Sequence, residues 1–111
     1  MNHLNHQDPL DQKIEGWESA ITNFEVAQLA YAQVDASFKA WEAALKLAHM
    51  KNKASGVMAE SLVKGHPDWE GRYLEVQQLS IKAETSKRIL SVAQAKWETE
   101  RSKQVSLRNV R

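Results

Sequence analysis

The strongest constraint on this chain is an apolar repeat of seven residues in its first half. Trp17, Phe24, Tyr31, Phe38 and Leu45 stand seven apart, and Ala20, Ala27, Val34, Trp41 and Ala48 follow each of them by three. A helix that turns one face outward every seven residues builds a seam for a second helix to pack against. No Pro or Gly interrupts residues 17–51, and alanine recurs throughout. The segment reads as one helix of roughly 50 Å, at about 1.5 Å rise per residue.

The flanking sequence divides the remainder. Asp8-Pro9-Leu10-Asp11 carries a capping residue, a proline suited to a first helical turn and an acid for the positive helix end. Gly16 weakens the helix before the seam, which sets residues 1–15 apart as an arm or short helix. Ser55-Gly56 and Gly65-His66-Pro67 bracket a short helix over 55–64 built on Val57, Met58, Leu62 and Val63. Pro67, Asp68 and Glu70 then open a second long helix over 67–107. The expected fold is all-α. It is an antiparallel, coiled-coil-like hairpin of two long helices with a short helix near the tip.

The second long helix is apolar on two sides. Val76, Leu79, Ala83, Leu90, Ala93 and Trp97 share one arc, while Leu74, Ile81, Ile89 and Val92 share another, roughly opposite. The first helix has a milder version, in which Val26, Leu29 and Leu47 join Ala36, Ala40 and Ala44 beside the seam. One partner helix cannot cover both sides. Val26, Leu29, Leu47, Leu74, Ile81, Ile89 and Val92 are therefore the expected contacts of a homo-oligomer. The competing expectation is that the short helix and the N-terminal arm fold back over them.

Several chemistries find no footing. The 111 residues are enough for one domain, and 42% apolar with 26% charged residues is the balance of a folded protein. Without cysteine there is no disulfide, thiolate zinc site or cysteine nucleophile, which fits a reducing compartment. MNHLNHQDPLDQ lacks the basic start and apolar stretch of a signal peptide, and no apolar run is long enough to span a membrane. Cytoplasmic placement is the expectation. His3 and His6 are three apart with no third ligand nearby, while His49 and His66 sit at helix ends, so no metal is expected. The four glycines are scattered, so no phosphate loop or cofactor cradle forms. The carboxylates read as helix-surface ion-pair partners, such as Glu42 with Lys46 and Glu84 with Lys87 or Arg88. A non-enzyme without cofactors is the expectation.

Charge is distributed unevenly. Residues 1–50 hold three Lys against seven Asp and Glu, whereas residues 51–111 hold twelve Lys and Arg against seven. The two ends can attract each other within a hairpin or between subunits. Alternatively, the basic end meets an acidic partner or a nucleic-acid backbone. Trp17 and Trp41 belong to the seam and Trp69 to packing at the hairpin end. Trp97, beside Lys96 and Arg101, reads either as core or as an aromatic platform flanked by cations.

Residues 57–108 carry a likeness to known proteins. They run from Val57-Met58-Ala59-Glu60 through Trp69, Tyr73 and the small-residue stretch around Ala83 to Trp97 and Arg101. In this layout the chain resembles small helical proteins encoded by bacteriophages near their recombination genes. It is similar in general design to recombination mediators of the UvsY kind. The resemblance implies a non-enzymatic oligomer that binds single-stranded DNA and assists a recombinase or annealing protein. Lys87, Arg88, Lys96, Arg101, Lys103 and Arg108 would then contact phosphates, with Trp97 as the stacking residue. The rival expectation is a protein-interaction module, namely a scaffold, adaptor or small inhibitor of a host protein, that binds no nucleic acid.

Overall fold

The computed structural model describes residues 8–110. They form three helices, α1 (Pro9–Lys51), α2 (Gly56–Lys64) and α3 (Trp69–Val110), arranged as an all-α helical hairpin with no strand among the described residues. The chain divides into two compact units. Among the described residues, one comprises 8–27 together with 83–110, and the other is Gln28–Lys82.

The helix ends show how local chemistry sets the boundaries. Asp8 Oδ1 accepts the Leu10 N–H at 2.8 Å, and Asp8 O accepts the Gln12 N–H at 3.0 Å. The cap starts α1 at Pro9. Residues 9–15, expected to stand apart, are its first turns. Gly16 is passed without a break, and its cost of about 1 kcal/mol is offset by the cap and by half-buried Leu10 and Ile14. His3 and His6 lie outside the described residues. α1 ends in a Schellman turn, in which Ala54 N–H reaches the His49 carbonyl and Lys53 N–H the Met50 carbonyl. The left-handed position of that turn is held by Lys53, at φ 73°.

Ser55 caps α2 by accepting the Met58 N–H at 3.2 Å. Gly65 closes it at φ −83°, where a Cβ would stand 3.3 Å from the Ser61 carbonyl oxygen. The backbone there is right-handed, so a side chain at this position would require only that the Ser61 carbonyl give by a few tenths of an ångström. α3 starts two residues later than Pro67. The His66 imidazole Nδ1 accepts the Asp68 N–H, and the His66 carbonyl accepts the Trp69 N–H. Pro67 is thereby held in the turn that precedes α3.

Burial follows the seven-residue repeat of α1. Ala20, Ala27 and Phe38 are buried, and Trp17, Phe24, Tyr31, Val34, Trp41 and Leu45 are half-buried. α3 answers with its own repeat. Trp69, Val76, Ala83, Leu90, Trp97 and Gln104 stand seven apart, and all are buried or half-buried. In the first unit, Trp17 stacks on Trp97 with ring centroids 4.9 Å apart, and Gln104 Nε2 donates to Asp8 Oδ1 at 2.9 Å. In the second, Phe38 lies among Trp41, Trp69 and Tyr73, and Trp69 Nε1 donates to Glu42 Oε2 at 2.8 Å. α2 turns Ala59 and Val63 inward and is tied to α1 by Lys46 Nζ and Glu60 Oε1 at 2.8 Å. Val57, Met58 and Leu62, expected to form its apolar face, are exposed.

Two outcomes follow. Lys53→Gly relieves a left-handed side chain and is expected to raise stability by about 1 kcal/mol, measured by urea denaturation. The Asp8 carboxyl is held below its ordinary range by the Leu10 N–H and then by Gln104, and that of Glu60 by its hydrogen bond to Lys46 and by the Lys46 charge. The stabilisation from these depressed groups is complete above the ordinary carboxylate range and is lost as pH falls through the lowered values. Thermal stability is therefore expected to be level above about pH 5 and to decline below about pH 4. Asp8→Asn together with Glu60→Gln should flatten that decline.

Candidate interaction surface

The cations expected to meet phosphates are all on α3, and all are exposed. They are Lys87, Arg88, Lys96, Arg101, Lys103 and Arg108. The helix sorts them into stripes. Lys87, Arg101 and Arg108 share one position of the seven-residue repeat, with Gln94 between them, and Lys96 and Lys103 share another. None forms an ion pair with a carboxylate among the described residues. The ion pairs between lysines and carboxylates found there are Lys39 with Asp35 and Lys46 with Glu60. The pairs expected of Glu42 with Lys46 and of Glu84 with Lys87 or Arg88 do not form. Glu42 turns to the Trp69 indole instead, and Lys46 reaches across to α2.

Trp97 belongs to the core. Its ring is half-buried and stacked on Trp17, its Nε1 is buried without a hydrogen-bond partner among the described residues, and the Arg101 guanidinium lies 5.7 Å from the ring centroid. Trp17 thus occupies one face of the ring that the sequence offered for stacking, and Arg101 lies against it. Trp41 is enclosed in the same way. Arg72 sits 4.7 Å above its ring and His66 meets it edge-on at 5.2 Å. The Arg72 contact had no signal in the sequence, because it depends on residues brought together by the turn between α2 and α3.

Val26, Leu29, Leu47, Leu74, Ile81, Ile89 and Val92 are all exposed. Neither α2 nor the first turns of α1 cover them. In the first unit, α1 and α3 also frame an open groove of about 510 Å³. Ile89, Val92, Ala93 and Gly16 supply its apolar surface, and Lys13, Arg88 and Lys96 its charge. No group of three potential metal ligands occurs among the described residues. No helix there is long and apolar enough to cross a membrane.

If Trp17 and Trp97 pack on each other, Trp97→Ala should cost about 3 kcal/mol in chemical denaturation. The Trp17→Ala, Trp97→Ala double-mutant cycle should then return a coupling of about 1 kcal/mol. A coupling near zero would place Trp97 outside the packed core.

No protein-family model matches the chain, and comparison with curated proteins and with solved structures found no match.

Proposed function

We propose that the chain is a non-enzymatic interaction protein, a helical scaffold or adaptor that works in assembled form. One observation carries this reading. The buried apolar set among the described residues is Ala20, Ala27, Phe38, Ala59, Val63, Val76 and Ala83, mostly alanine, while larger side chains such as Val26, Leu29, Ile81 and Ile89 face water. Apolar surface contributes about 25 cal/mol per Å² when buried. A hairpin whose buried positions are mostly alanine, and which leaves Val26, Leu29, Leu47, Leu74, Ile81, Ile89 and Val92 exposed, gains by placing those faces against other helices. The exposed residues fall on both long helices, which suits lateral packing of helices better than a small-molecule pocket.

A second reading has its own support. Lys87, Arg101 and Arg108 recur on one side of α3 and have no carboxylate partner among the described residues. A phage-type recombination accessory protein would use such a stripe, with the remaining α3 cations, to hold the phosphates of single-stranded DNA. Binding would rest on charge alone, since Trp97 is engaged in the core.

Sedimentation over a range of concentrations, with thermal melts at each, tests the first reading. Mass and melting temperature should rise together, because assembly stabilises the folded state by mass action. A monomer at every concentration that also retains no protein partner would overturn it. Fluorescence anisotropy with labelled oligonucleotides at about 50 and 200 mM salt decides the second. Salt-sensitive binding that prefers the single strand supports the DNA reading, and absence of binding at both salts removes it.

A further inference from the structure

The first unit is electrically two-sided. Its carboxylates lie mainly on α1, at Asp8, Asp11, Glu15, Glu18 and Glu25, and its cations mainly on α3. They nearly cancel in number, yet each side presents a strong local charge. Within the acidic side, Asp11, Glu18 and Glu25 are exposed and stand seven apart, so they form one stripe along α1. Seven residues span about 10.5 Å of helix. On the basic side, Lys96 and Lys103 have that same spacing.

The groove between α1 and α3 lies on the basic side. Lys13, Arg88 and Lys96 line it beside Ile89 and Val92, and Lys103 continues its rim together with Thr99 and Glu100. Asp11, Glu18 and Glu25 do not line it, and none of the three pairs with a cation among the described residues. Next to Glu25 stands Val26, 64% exposed, while Ile89 in the groove is 56% exposed. The acidic stripe therefore has an apolar residue at its edge, and the basic groove has an apolar floor.

We infer that the groove receives the acidic α1 stripe of a second copy of this chain. Glu18 and Glu25 of one copy meet the Lys96 and Lys103 side of the other, and Val26 meets Ile89 and Val92. The proposal rests on the interaction reading above and names its partner. Charge complementarity at a shared spacing selects this occupant, since both helices offer their charges every 10.5 Å or so. Stripe and groove are different patches, so the contact is heterologous. Each copy gives one surface and receives on the other, and the assembly either closes as a ring or continues.

Charge reversal tests this without touching the core. One variant carries Glu18→Lys and Glu25→Lys, the other Lys96→Glu and Lys103→Glu, and circular dichroism checks that both remain helical. Like charges then face each other in each variant alone, and sedimentation at low salt should show association weakened about a hundredfold. An equimolar mixture should regain parent-like assembly, because each reversed surface finds its complement on the other variant. Unchanged assembly of either variant alone, or a mixture that stays dissociated, overturns the docking proposal and leaves the interaction reading standing. A parent chain that is monomeric throughout overturns the docking proposal, and the interaction reading falls with it only if the chain also retains no other protein partner.

Discussion

Everything in this hairpin depends on a two-helix seam in which aromatic rings alternate with alanine. Two helices alone rarely enclose a large ring, and of the seam aromatics Phe38 is buried while Trp17, Phe24, Tyr31, Trp41 and Trp97 stay half-buried. Alanine solves the approach problem. Ala20, Ala27 and Ala83 are buried, while Trp17, Phe24 and Trp97 lie partly open along the flank. The seam is therefore narrow. It aligns α1 with α3 well but buries little large apolar surface, and this leaves the outer valines, leucines and isoleucines without cover.

Where the seam needs direction, polar and aromatic contacts supply it. The Trp69 indole hydrogen bond to Glu42, the Phe38 cluster and the Arg72–Trp41 contact fix one register in the second unit. In the first unit the Trp17–Trp97 stack and the Asp8–Gln104 bond do the same. A pure alanine seam would slide easily, since neighbouring turns look alike. Rings and directional hydrogen bonds remove that degeneracy. α2 closes the second unit with only Ala59 and Val63 inward, which makes it a plug on the turn and not a third layer.

The charge pattern acts at a longer range than any of these contacts. Acids on α1 and cations on α3 do not neutralise each other by direct ion pairs among the described residues. Paired in the hairpin, such charges would be inert. Left apart on different sides of one unit, they become surfaces that other molecules, or other copies, can read.

The long helix of α1, its inward face and the hairpin class were all readable from the chain, because seven-residue periodicity is a property of neighbours along one helix. The repeat of α3 was also present, at Trp69, Val76, Ala83, Leu90, Trp97 and Gln104. Its companion position holds Arg72, Ser86 and Glu100, and those polar residues blurred the repeat into a broad arc. Helix starts were less legible. A cap formed by His66 backbone and imidazole competes with the proline signal, and the outcome depends on local geometry. What only the tertiary structure decided was the pairing of distant residues. It placed Trp97 on Trp17, turned Lys46 to Glu60 and Glu42 to Trp69, and framed a basic groove from Lys13, Arg88 and Lys96. The physical reason is range. Propensity and periodicity act within a few residues, whereas these contacts join positions that become neighbours only after the chain has turned back on itself.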